Sequence, residues 1–169
     1  MNSVSTEPMA ANADSVLTYL RAMLELKRLH LQNPGRFAYL GMEDFLLQHG
    51  KPYMAARLPK RVRAGIPGAC FDQAYRLAKR RKWLYVEGVA LGSVIPVHHA
   101  WCEDPSNPGV AIDPTWATLS HASTEQYFGC AFALPLVASV RAAFSSVLDD
   151  WTRGWPLLKG DIPESRWRP

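Results

Sequence analysis

Apolar residues recur at helical intervals through the first third of the chain. Val16, Leu17, Leu20, Met23, Leu24 and Leu31 share one face, and Arg21, Glu25, Arg28 and Gln32 form the opposite polar stripe. This predicts an amphipathic helix from Val16 to Leu31, with Asp14 and Ser15 as N-cap residues and Asn33-Pro34-Gly35 as its stop. A shorter helix is expected over Met42 to His49, ended by Gly50 and Pro52. Segment 51–68 combines three prolines with Lys51, Arg57, Lys60, Arg61 and Arg63. It reads as a long irregular basic connection, either a solvated loop or a lid beside a site. Phe71, Ala74, Tyr75 and Ala78 then sit at i, i+3, i+4 and i+7, which predicts a helix starting at Cys70. Lys79, Arg80, Arg81 and Lys82 close it, cations at the negative end of the helix dipole.

The pattern changes after Lys82. Trp83 to Leu91 and Val94 to Cys102 are rich in aromatic and β-branched residues and read as strands. The turn cluster 104–109 (Asp-Pro-Ser-Asn-Pro-Gly) leads to a third strand, Val110 to Asp113, expected to pair antiparallel with the second. Tyr127 to Ala133 reads as a fourth strand. Val137, Val140, Phe144, Val147 and Trp151 predict a last helix over Leu136 to Trp151. The remainder, Thr152 to Pro169, reads as an extended segment in which Trp155 and Trp167 dock. The organisation is therefore a frayed tail over 1–13, one α+β domain over 14–151 with an antiparallel meander, and a C-terminal segment over 152–169.

Composition narrows the class. An apolar fraction of 48% and a charged fraction of 20% over 169 residues describe a chain that buries a core. The formal net charge of +4 is mild and diffuse, so nucleic acid is not an expected partner. No apolar run is long enough to span a membrane, and the start lacks the basic and apolar regions of a secretory signal, so a cytoplasmic location is expected. Three widely spaced cysteines, Cys70, Cys102 and Cys130, do not make a secreted disulfide framework. At least one thiol is free.

Cys70 stands out because it opens a helix. The unpaired N–H groups and dipole there favour a thiolate, the small residues Gly68 and Ala69 let a substrate carbonyl approach, and the Cys70 N–H can help hold an oxyanion. A cysteine nucleophile needs a base, and the base needs an orienting partner. On the second strand alternation sends Val97, His99 and Trp101 to one face and His98, Ala100 and Cys102 to the other. The turn around Asn107 brings Trp101 or His99 nearly opposite Asp113, where a carboxylate can accept the histidine ring N–H. Trp101 and Gln73, one turn into the helix, are further candidates for lining the site, as is Tyr53 upstream. Glu87, among Trp83, Tyr85, Val89 and Leu91, is either an edge residue or a polar contact near the site, and the edge reading is preferred.

Three short segments carry a family resemblance. Gly68-Ala69-Cys70-Phe71 resembles the nucleophile segment of the transglutaminase-like superfamily, His99-Ala100-Trp101 its H-A-W strand, and Asp113-Pro114-Thr115 its D-P-T segment. Their order and spacings fit over residues 68–116, under a third of the chain. The resemblance implies a small member of bacterial or phage type with a papain-like core, the cysteine helix packed on an antiparallel sheet. It implies Cys70 as nucleophile, His99 as general base and acid, and Asp113 as orienter. It further implies a protein or peptide substrate, no cofactor, and peptidase, amidase, deamidase or acyltransferase chemistry. The pattern departs from papain-like proteases at the oxyanion glutamine, whose position, six residues before the cysteine, is Ala64 here.

Two other classes compete. A binding module on the same fold would keep the three residues without activity. A metal site would draw on His98, His99, Cys102 and Cys130, but adjacent strand histidines point apart and no C-x-x-C pair exists, so no metal is expected.

Overall fold

The computed structural model describes residues 13–31, 35–92, 95–116, 126–143 and 145–169. The tail expected over 1–13 lies outside the described residues except for its last position, and so does Phe144. Strand β2, Leu84–Leu91, is the axis of the architecture. On one side it pairs with β3, Pro96–Glu103, antiparallel along its full length, from Leu84 opposite Glu103 to Leu91 opposite Pro96. On the other it pairs antiparallel with β5, Gln126–Phe132. The sheet continues through β1, Lys51–Ala55, to the short β4, Val110–Ala111, in the order β3-β2-β5-β1-β4. An antiparallel bridge between Cys102 and Ile112 then joins the β4 end back to β3, with N–H to O=C distances of 3.0 and 2.8 Å, so the sheet curls onto itself.

Curling gives the sheet an inside and an outside. Tyr53, Val86, Ala90, Trp101, Ala111 and Tyr127 fill the inside. Trp101 lies flat against the backbone there: a Cβ on Gly129 would sit 2.6 Å from its ring, so only glycine fits. The neighbouring Gly88 has the same constraint, since its Cβ would lie 2.1 Å from the Phe128 carbonyl oxygen. Outside, Tyr85, Val89, Phe128 and Phe132 pack against helices α1 (Ala13–His30), α2 (Met42–His49), α3 (Cys70–Arg81) and α4 (Leu134–Ala142). α3 buries Ala74, Leu77 and Ala78 on the sheet, and the Cys102 thiol donates to the Ala74 carbonyl at 3.2 Å. No described helix is long and apolar enough to cross a membrane.

The fold is α+β, and it departs from the expected meander in five places. The sheet is mixed: β1 and β4 run parallel, and β5 lies between β2 and β1 instead of beyond β4. Residues 51–55, expected as loop, form an internal strand. Only Tyr53 is buried in it and Pro52 interrupts its donors, so the segment carries no readable alternation. α1 starts at Ala13, which places Asp14 and Ser15 inside its first turn instead of at its cap. α4 ends at Ala142, well short of Trp151, because the N–H groups of Val147 and Leu148 donate to the Glu87 carboxylate, at 3.0 Å each, and not to a helical carbonyl. Finally, 152–169 is folded into turns and the four-residue helix α5, Glu164–Trp167. It packs Leu157, Leu158 and Trp167 into the outer core, the last against Phe45, His49 and Phe132.

Candidate active site

Cys70 occupies the first position of α3 and is 8% exposed. The chain reaches it through a turn that needs Gly68 at φ +83°, and the preceding loop is tied down by the Gly65 N–H donating to the Pro114 carbonyl at 2.7 Å. That bond sets the cysteine helix beside the residues that follow β4. Ala69, the N-cap, supplies no side-chain bond, so the positive end of α3 is uncapped where the sulfur sits.

Cys70, His99 and Asp113 come together from three elements. His99 is on the inner face of β3 and Asp113 follows β4; both are buried. His99 Nε2 lies 2.6 Å from Asp113 Oδ2, and Cys70 is close enough to the same ring to raise its pKa. A carboxylate accepting at Nε2 fixes the ring proton there and leaves Nδ1 to the sulfur. Asp113 is itself held by four more donors: Thr115 N–H and Oγ–H at 2.8 Å each and Trp116 N–H at 3.1 Å on Oδ1, and the Tyr127 hydroxyl at 3.0 Å on Oδ2. The Trp116 ring stacks on His99 with centroids 4.4 Å apart and covers the imidazole.

These contacts decide the charges. Burial pushes the His99 ring toward neutrality, but the bonds to Asp113 and Cys70 outweigh it and raise its pKa to about 9. Burial likewise opposes ionisation of Asp113, yet the bonds from His99 and Thr115 hold its carboxyl below the ordinary range. An imidazolium flanked by a carboxylate and a sulfur at a helix N-terminus can balance a thiolate and return a proton to a leaving group. The other two cysteines have no such surroundings. Burial pushes the Cys102 thiol far up and the Cys130 thiol up to about 12.

The remaining candidates divide. Gly68 and Ala69, the two residues before Cys70, line a cavity of about 410 Å³ together with Phe71, His98 and Trp151; Cys70 and His99 are not among its lining residues. Gln73 is half-buried against Gly65, where a Cβ would lie 3.0 Å from its amide. Trp101 is fully buried inside the sheet behind His99, with ring centroids 6.5 Å apart, and is not among the residues lining the cavity of Gly68 and Ala69. Tyr53 donates its hydroxyl to Glu103 at 3.0 Å and packs on Trp101, within the same interior. His98 points to the outer face, 4.9 Å from the Phe71 ring. Among the described residues, no three His, Cys, Asp or Glu side chains converge as metal ligands.

Glu87 is no edge residue. It is fully buried, accepts from the Tyr85 hydroxyl at 2.7 Å as well as from Val147 and Leu148, and lies 3.6 Å from His98 Nε2. From the sequence, Thr115 belongs to the D-P-T segment without a role, and Trp116 and Tyr127 carry none. The signal for the first two is their position directly after Asp113-Pro114, and for Tyr127 its strand phase, two residues before Gly129 on the inner face. Comparison with protein-family models, with curated proteins and with solved structures found no match to this chain.

Proposed function

We propose that this protein is a thiol enzyme that acts on an amide or ester carbonyl, built on a papain-like, transglutaminase-like core. The observation that carries the reading is the convergence of Cys70, His99 and Asp113 from three elements, with 2.6 Å between ring and carboxylate and Cys70 close enough to raise the pKa of the ring. Transfer of the thiol proton to His99 Nδ1 gives a thiolate facing an imidazolium, which Asp113 stabilises. The sulfur attacks the carbonyl carbon, and the oxyanion forms at the uncapped start of α3, within reach of the Cys70 N–H. His99 then gives its proton to the departing amine or alcohol, leaving a thioester on Cys70. A water or an amine, deprotonated by His99, attacks the thioester and releases the thiolate. Water makes the enzyme a peptidase, amidase or deamidase; an amine makes it an acyltransferase. A protein or peptide substrate in the cytoplasm, with no cofactor, belongs to the same reading.

The test is selective alkylation. Substoichiometric iodoacetamide at neutral pH, followed by peptide mapping, is expected to modify Cys70 well before Cys102 or Cys130. Equal labelling of the three thiols, or none at Cys70, overturns the reading. With a substrate in hand, Cys70→Ala is expected to lower turnover by about four orders of magnitude or more.

A further inference from the structure

A second cavity, of about 600 Å³, lies on the same side of the molecule and is lined by Leu31, Phe37, Leu40, Met42, Trp155 and Leu158 among others. Its size falls in the range of ligand-binding clefts, and its lining is mostly apolar. It shares His98 and Asp149 with the cavity lined by Gly68, Ala69 and Phe71, the residues that flank Cys70 in the chain. The two are therefore consecutive stretches of one groove, with His98 and Asp149 at the junction. Leu31, Phe37, Trp151 and Trp155 along it are all exposed, an unusual concentration of large apolar side chains.

Among the described residues, the charges along the groove are answered within the protein, with one exception. Lys27 pairs with Glu43 at 2.5 Å. Asp72 is bonded by both Arg141 and Arg76. Asp149 accepts from Trp155 Nε1 at 2.9 Å on Oδ1 and has no ion-pair partner among the described residues. Its exposed carboxylate is held in place at the junction, since its N–H donates to Ser146 Oγ at 3.1 Å and its carbonyl accepts from Ser145 Oγ at 2.6 Å. Beside it, His98 Nε2 is buried with no hydrogen-bond partner.

We infer that this groove binds an extended peptide bearing a basic residue at Asp149 and, farther from Cys70, a large apolar residue in the wider cavity. The inference rests on the proposed thiol chemistry for what happens at Cys70 and supplies the substrate class. Burial of an aromatic or leucine side chain among Leu31, Phe37 and Trp155 provides the affinity, and the single unanswered carboxylate selects the sign of the neighbouring charge.

Binding tests this without turnover. The full chain carrying Cys70→Ala is used to select from a combinatorial library of acetylated, amidated hexapeptides, and the bound fraction is sequenced by mass spectrometry; the iodoacetamide-blocked parent protein serves as a second bait. Both are expected to enrich Lys or Arg near Phe, Trp or Leu by about tenfold over Asp or Glu, the discrimination of roughly one unanswered charge. Asp149→Asn, which keeps an acceptor for Trp155, is expected to lose the basic preference and keep the apolar one. No enrichment, enrichment of apolar residues alone, an acidic preference, or an unchanged basic preference in Asp149→Asn each overturns the inference. Selective alkylation of Cys70 alongside such a failure would leave the thiol chemistry standing, whereas peptide enrichment without selective alkylation would sink the thiol chemistry alone.

Discussion

Two histidines stand side by side on β3, and each meets a carboxylate on its own side of the sheet. His99 and Asp113 are 2.6 Å apart on the inside, in direct hydrogen bond, with Cys70 close enough to raise the pKa of the ring. His98 and Glu87 are 3.6 Å apart on the outside, and Nε2 of His98 makes no hydrogen bond. The difference lies in what else the carboxylates hold. Asp113 collects its other donors from residues that follow it closely or pack beside it, and it keeps Oδ2 aimed at the ring. Glu87 has both oxygens occupied by the backbone of 147–148 and by Tyr85. One carboxylate orients an imidazole; the other ends a helix and pins a loop. Proximity of a histidine to a buried acid is thus no sign of chemistry until the acid's remaining partners are counted.

That comparison can be broken at several points. The largest effect is expected at Glu87→Ala, which strands two buried N–H groups and the Tyr85 hydroxyl and should cost about 3–5 kcal/mol in urea unfolding. The folded fraction should still alkylate at Cys70 at the parent rate; a slowed rate would make Glu87 part of the reactive site. Next is pH. The raised His99 pKa means that its contribution to stability is complete below the ordinary histidine value and is lost as pH rises through about 9. The depressed Asp113 carboxyl contributes above the ordinary carboxylate range and is lost as pH falls through its folded value. Parent stability should therefore decline between about pH 6.5 and pH 9, by roughly 3 kcal/mol. His99→Gln should flatten that decline and His98→Gln should not.

Reactivity sharpens the contrast further. His99→Ala is expected to slow iodoacetamide modification of Cys70 at pH 7 by about 100-fold, while His98→Ala stays close to the parent. Similar losses in both variants would refute the division of roles. The smallest effect is expected at Tyr127→Phe, which removes one of the donors on Asp113 Oδ2 and should lower stability by about 1 kcal/mol, read from the urea midpoint.

How much of this was legible in the sequence follows the range of each interaction. α2 and the start of α3 at Cys70 rest on local spacing and local stop signals, and they stand where those signals put them. β2 and β3 could be read because both are long, with apolar or aromatic side chains on both faces. β1 could not, because its identity lies in its partners β5 and β4 and only Tyr53 records them. The end of α4 depends on Glu87, sixty residues upstream of the N–H groups it accepts from. Helical spacing of Val137, Val140 and Val147 continues past the break because all three are buried, the last outside the helix. Around Cys70 the three residues that meet each sit in a short recognisable segment. Trp116 and Tyr127, which complete their surroundings, are ordinary aromatics until the sheet curls.

The neighbouring histidines also make strand phase a chemical variable. Every residue of β3 is paired with β2, so a slip of one position would turn His98 toward Asp113 and His99 toward Glu87. An imidazole would still meet an acid on both sides. What has no understudy is Trp101, whose ring fits only over Gly129; in the slipped phase it would face the helices where Ala100 now packs. The choice of which imidazole meets the thiol is therefore recorded in a tryptophan and a glycine that touch neither the sulfur nor its proton.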